Sequence, residues 1–147
     1  MKTTMSSLLG GIAGAIALNA VHQAVKQFYH AAPRVDLVGE EAMAKGLGKL
    51  GVKPPTGNAL FGATMAADLV SNALYYSAIG AGKRKQLPVI GAAAGLAAGI
   101  GALTLTKPMG LNDAPITKTN QTKVLTVAWY TLGGIVAGCV IKRLRKK

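Results

Sequence analysis

The chain has 147 residues, of which half are hydrophobic, only 15% are charged and 19 are glycines. This composition fits poorly with a soluble domain of this length and favours an integral membrane protein. A formal net charge of +12 would suggest nucleic-acid binding in a soluble protein. Here the cations adjoin apolar segments and no nucleic-acid motif accompanies them, so we expect no nucleic-acid partner.

Four apolar stretches each approach the roughly 20 residues needed to cross the hydrocarbon of a bilayer. A helix satisfies its own backbone polar groups in lipid, and the alternation expected of a barrel is absent. We therefore predict an all-α membrane protein, a single domain with four transmembrane helices in an antiparallel bundle. The stretches lie at about 8–28, 59–79, 88–105 and 124–141 of the 1–147 chain.

Two alternatives to this topology are a soluble helical bundle and an N-terminal signal peptide. The third stretch carries no charge, and a helix that is apolar on every face requires lipid or a larger core than this chain can build. The first apolar pattern continues to Phe28, beyond the length of a typical signal core. Both observations favour spanning helices.

A row of polar side chains interrupts the first stretch, at spacings that place them along one side of a helix. Charged groups are costly inside a bilayer and usually face a protein interior, a partner or water. With a rise of about 1.5 Å per residue, the row begins near mid-membrane and ends at or beyond the outer interface. Its members are Asn19, His22, Gln23, Lys26 and His30.

The connection that follows carries apolar residues at helical spacing and predicts a short amphipathic helix on the membrane surface, at about 36–51. Asp36 is the expected helix cap, and Pro54 and Pro55 end the pattern. This helix is either a lid over a cavity or a solvated linker. The later connection at 106–123 is rich in Thr, Asn, Pro and Lys and predicts an irregular loop.

The second stretch contains Asp68, the only acidic residue within any apolar segment, and Asn72 and Tyr75 share its helical face. If the first two helices pack antiparallel, Asn19 and Asp68 meet at one depth, with His22 a turn nearer the outside. A buried carboxyl beside an imidazole suits proton-coupled binding or transport. Alternatively, these groups form hydrogen bonds that fix helix register. The predicted binding residues are Asn19, His22, Asp68, Asn72 and Tyr75, whereas Lys26 and His30 are mainly interfacial candidates.

Glycines recur every fourth residue in the first, third and fourth stretches, a pattern typical of a glycine zipper. Small residues at this spacing let helix backbones approach closely. They serve either the bundle itself, which we favour, or a homo-oligomer or larger membrane complex. The helix-packing residues are Gly10, Gly14, Gly91, Gly95, Gly99, Gly134 and Gly138.

Basic residues orient the predicted bundle. With four spans, both termini and the 83–85 loop lie on one side, which carries nine cations and no acid. The positive-inside rule places that side in the cytoplasm, and the cations there suit anionic lipid headgroups. A bacterial inner membrane fits this pattern best, with an organellar membrane as the alternative.

No metal, cofactor or catalytic residue is expected. The two histidines stand too far apart along a helix for one metal, and no HExxH or cysteine cluster occurs. Cys139 has no activating neighbour and is expected to pack as a small hydrophobe.

The leading interpretation is a membrane protein with a polar cavity between its first two helices, which binds or translocates a small solute or proton. The alternatives are a non-catalytic subunit or assembly factor of a larger membrane complex, and a lipid-modifying enzyme using His22, Asp68 and Glu40–Glu41.

Overall fold

A computed structural model describes residues 3–145, and within that range the chain forms helices and no strand. Four helices are long. Two short 3-10 turns, Ala78–Ala81 and Arg84–Gln86, connect the helix that ends at Ser77 to the helix that begins at Leu87. The helices are α1 Thr3–Val25, α2 Val35–Lys49, α3 Gly57–Ser77, α4 Leu87–Leu105, α5 Ala114–Thr117 and α6 Asn120–Leu144.

Three helical segments are long and apolar enough to cross a membrane: Thr3–Val25, Arg84–Leu105 and Asn120–Leu144. They agree with an all-α integral membrane protein. The α3 helix, which contains the second predicted span, is not among them. It has the length, but Asp68 and Asn72 lower its hydropathy.

Several element boundaries differ from those expected. The α1 helix ends at Val25, and the chain turns back before α2 begins at Val35. The residue that precedes α2 as its N-cap is Arg34, so the prediction that Asp36 caps this helix is wrong. Asp36 instead lies in the first turn, where a carboxylate also complements the helix dipole.

The 106–123 connection is more regular than an irregular loop. It contains the single-turn α5 helix and the first residues of α6. The start of α6 is fixed by Thr119, whose Oγ1 accepts a hydrogen bond of 3.0 Å from the backbone N–H of Thr122. The loop interpretation failed because a cap and a short turn carry too few apolar residues to show periodicity.

Glycine faces bring the long helices into backbone contact within the chain. A Cβ atom at Gly95 would lie 2.6 Å from the Cα of Thr131, and one at Gly99 would lie 2.6 Å from the Cα of Val127. These contacts run α4 antiparallel to α6, since increasing residue number on one meets decreasing number on the other. Gly91 meets Gly134 in the same interface.

The α1 helix packs between α6 and α3 through two further glycine positions. A Cβ at Gly14 would lie 2.5 Å from the carbonyl O of Gly133 in α6. A Cβ at Gly11 would lie 2.8 Å from the backbone N of Ser77 in α3. The polar row of α1 also contacts α3, since Asn19 donates a hydrogen bond to Asp68.

Arg145 connects the end of α6 to the start of α1. Its guanidinium donates hydrogen bonds to Ser7 Oγ at 3.0 Å and to the carbonyl O of Gly82 at 3.3 Å. It also contacts Ser6 Oγ and the carbonyl O of Gly80. The start of α1, the 3-10 turn and the end of α6 therefore lie together.

The α2 helix lies at the opposite end, against α3 and the α4–α6 connection. Glu41 Oε2 accepts a 2.8 Å hydrogen bond from the backbone N–H of Asn112. Lys45 donates to the carbonyl O of Gly110 at 2.6 Å, and the backbone N–H of Arg34 donates to Pro115 at 3.0 Å. These bonds hold α2 over the end of α1.

Candidate functional site

The predicted contact between the first and second apolar stretches is present as a hydrogen bond between α1 and α3. Asn19 Nδ2 donates to Asp68 Oδ2 at 3.0 Å. Asn72 Nδ2 donates to the other oxygen, Oδ1, at 2.9 Å. Both carboxyl oxygens of Asp68 therefore have a neutral amide donor, and neither contacts a cationic side chain among the described residues.

His22 was predicted to lie beside Asp68, but its hydrogen-bond partner is a different carboxyl group. Its Nε2 instead lies 3.2 Å from Oδ1 of Asp36, in the first turn of α2. The side chains of both residues are nearly inaccessible, at 7% and 1% exposure. The chain reversal between α1 and α2 places Asp36 beside His22. Helical spacing within α1 could not indicate this contact, because Asp36 lies in a different helix.

Asp36 is the centre of a buried ionic cluster. Lys26 Nζ lies 3.0 Å from its Oδ2, and the Arg34 guanidinium donates to both carboxyl oxygens, at 2.8 to 3.3 Å. Burial opposes ionisation of this carboxyl, but the hydrogen bonds from His22, Arg34 and Lys26 outweigh it and hold the Asp36 pKa well below its ordinary value. The hydrogen bond to Asp36 also raises the pKa of Arg34.

Lys26 also has partners within the fold. Its side chain is only 16% exposed, and its ammonium group also lies 5.1 Å from the centre of the Phe61 ring in α3. An ammonium at this distance from an aromatic ring gains a favourable cation–π interaction. Lys26 thus links all three of α1, α2 and α3.

The remaining candidates lie beside this cluster or away from it. Gln23 donates to Met65 Sδ at 3.4 Å and lines the same cavity as His22. Tyr75 is directed elsewhere, and its hydroxyl donates to the carbonyl O of Ala94 in α4 at 2.8 Å. His30 is exposed beyond the end of α1.

A cavity of about 20 Å³ lies between the two carboxyl groups. This volume suits about one water molecule. The hydroxyl of Thr64 is buried in its wall and has no hydrogen-bond partner among the described residues. The cavity is lined by Asn19, His22, Gln23, Val35, Asp36, Gly39, Thr64, Met65 and Asp68.

The α6 helix supplies a further wall that sequence reasoning missed. The indole ring of Trp129 lies 5.6 Å from the His22 ring, between centroids. A second cavity of about 10 Å³ touches His22, Asp68, Trp129 and Tyr130. Asp36 could have been suspected from its position among Lys26 and Arg34, but no pattern within the chain indicated Thr64 or Trp129.

The described residues contain no group of three or more His, Cys, Asp or Glu side chains able to hold a metal ion. Glu41 forms a 2.6 Å ion pair with Lys45, which directs it away from His22 and Asp68. Cys139 is exposed, rather than packed as expected. No protein-family model matches the chain, and neither a curated protein nor a solved structure shows detectable similarity to it.

Proposed function

We propose that the protein crosses the membrane four times, and that α3 is a crossing in addition to the three segments that meet the length and hydropathy criteria. Its antiparallel packing supports this topology, since Asn19 contacts Asp68 and Gly11 contacts Ser77. If α1 crosses the bilayer, α3 runs back beside it at the same depths. Its polar groups are tolerated because they face α1 rather than lipid.

Single cysteines introduced in a Cys139→Ser background test this topology. Four crossings place Lys83→Cys and Lys53→Cys on opposite sides, so a membrane-impermeant maleimide should label only one of them in sealed vesicles. Labelling of both from the same side would contradict a membrane-crossing α3. We also propose that the membrane is a bacterial inner membrane and that both termini lie in the cytoplasm. The side from which the maleimide labels each cysteine tests the location of the termini.

We further propose that the function of this membrane protein is proton binding at the Asp36–His22–Asp68 cluster. The observation that carries the proposal is that the two carboxyl groups of this cluster have different kinds of hydrogen-bond partner. Asp36 has cationic partners, whereas Asp68 has only amide partners. A buried carboxylate without a counter-charge is costly, so Asp68 is the group that exchanges a proton while Asp36 stays ionised.

The size of the space between the two carboxyl groups argues for a proton at that position rather than an organic solute. Sites for small organic ligands typically enclose about 300 to 1,000 Å³. The space between the carboxyl groups is about 20 Å³. A water molecule there would have Thr64, His22 and the carboxyl groups as hydrogen-bond partners, and it would connect Asp68 to the imidazole.

Carbon-13 NMR of aspartate-labelled protein in nanodiscs tests this proposal directly, because the chain has only three aspartates. Asp68→Asn and Asp113→Asn assign the signals. We expect the Asp68 carboxyl signal to change with pH while the Asp36 signal stays that of a carboxylate, because Asp68 has only amide partners and Asp36 has cationic ones. His22→Gln should shift the Asp68 midpoint, and His30→Gln, the matched control, should leave it unchanged. An Asp68 carboxyl signal that does not change with pH while the protein stays folded would refute the proposal.

Passage of the proton across the bilayer is tested separately in liposomes that enclose a pH-sensitive dye. A potential-driven proton flux that Asp68→Asn removes and Asp113→Asn retains would add translocation to binding. Equal flux in all three proteins would restrict the function to binding.

The two alternative functions lack a favouring observation in the described residues. Glycines that could have docked onto a larger complex are occupied by contacts within the chain, between α4 and α6 and around α1. The Glu41 carboxyl that a lipid-modifying enzyme would need near His22 pairs with Lys45 instead. Proton binding is therefore the function that the geometry supports best.

A further inference from the structure

A further, larger cavity borders the Asp36 ion pairs, at the end of the helices where α2 docks. It encloses about 310 Å³ and is formed by the turn that follows α1, together with Lys118 between α5 and α6. Its lining includes three permanent cations and one histidine, with no acidic side chain. These groups are Lys26, His30, Arg34 and Lys118. We call this cavity the basic pocket.

The charge of the basic pocket is only partly neutralised within the chain. Asp36 lies behind the pocket and contacts Lys26 and Arg34, so one carboxylate serves two cations. Lys118 contacts the backbone carbonyl O of His30 rather than an acid. Counting the three cations against Asp36 leaves a surplus of two positive charges, before any contribution from His30.

Two exposed aromatic residues beside this pocket favour a position at the membrane surface. Phe28 is 85% exposed, although it lies three residues after the end of a helix able to cross the membrane. Tyr29 is 43% exposed, and its hydroxyl donates to Gln121 Oε1 at 2.8 Å. Aromatic side chains at a helix end are typical of the headgroup region, where their rings contact lipid and their polar atoms contact water.

We propose that the basic pocket binds a phosphate group, supplied by an anionic phospholipid headgroup or by free phosphate. Lysine and arginine donate charge-assisted hydrogen bonds to phosphate oxygens, and arginine does so with a planar pair of donors. The Arg34 side chain is 40% exposed, so it reaches the pocket while part of its guanidinium contacts Asp36. Phe28 would lie among the acyl chains of the same lipid.

Native mass spectrometry of the full chain tests this site, using detergent micelles that contain phosphatidylglycerol or phosphatidylcholine. We expect selective retention of one phosphatidylglycerol molecule. Lys118→Gln should weaken retention about fivefold, the effect of removing one cation near an anionic headgroup. Lys123→Gln removes the same charge from α6 outside the pocket and should retain the lipid. Lys118→Arg should also retain it, which separates loss of binding from misfolding.

Competition with inorganic phosphate distinguishes the two sources of the ligand. Displacement of the lipid by millimolar phosphate, or direct calorimetric binding of phosphate that Lys118→Gln weakens, identifies the phosphate group itself as sufficient. Lipid retention that phosphate does not disturb identifies the intact headgroup as the ligand. Equal retention in Lys118→Gln and Lys123→Gln, or no binding of either probe, would overturn the proposal. Neither outcome depends on titration of Asp68.

Discussion

Replacing Asp36 with Asn should release α2 from the end of α1. The substitution keeps the shape of the side chain but removes the charge that pairs with Lys26 and Arg34 at 3.0 and 2.8 Å. Removing one partner of a buried ion pair typically costs about 3 to 5 kcal/mol. Arg34 is 40% exposed and can regain hydration, so we expect about 2 to 3 kcal/mol here.

The measurement is hydrogen–deuterium exchange of α2 in nanodiscs, because this helix is held mainly by side-chain contacts with α1, α3 and the α4–α6 connection. A loss of 2 to 3 kcal/mol corresponds to exchange roughly 30- to 150-fold faster, since about 1.4 kcal/mol equals a factor of ten. Glu40→Gln, which removes the same charge from the same helix outside the cluster, should change exchange little. Unchanged protection of α2 in Asp36→Asn would refute the idea that this carboxylate holds the helix in place.

Three further predictions follow from the described contacts. Because the folded pKa of Asp36 is lowered, its stabilising effect is complete above the unfolded value of 3.8 and is lost as pH falls below it. The protection of α2, corrected for the intrinsic pH dependence of amide exchange, should therefore be constant above about pH 5 and fall in acid. Gly95→Ala should lower the melting temperature in detergent by an amount equivalent to about 1 to 3 kcal/mol, because its Cβ would meet the α6 backbone. The control Gly46→Ala has open space around its Cβ and should be neutral or stabilising. Equal melting temperatures for the two variants would contradict the close packing of α4. Arg145→Gln should speed proteolysis at the end of α6, because its contacts with Ser7 and the 3-10 turn are lost, and an unchanged cleavage rate would argue against that role.

Some features of the fold and site could be predicted because they depend on neighbours along one helix. Apolar length indicated the membrane class, and three segments meet that criterion. Depth along antiparallel helices was sufficient to predict that Asn19 meets Asp68, since both positions lie about midway along the predicted apolar stretches 8–28 and 59–79. Glycine spacing indicated surfaces of close approach, although it could not tell which helix would occupy each one.

The sequence by itself therefore determined helices, apolar lengths and the polar row on α1. Only the tertiary structure decided that Asp36, rather than Asp68, is the partner of His22. Helical periodicity describes side chains within one element, whereas this contact depends on the chain reversal at residues 26–34. That reversal brings the cations at both ends of the turn onto one carboxylate, leaves Asp68 with amides alone, and so creates the difference between the two acids on which the proposed function depends.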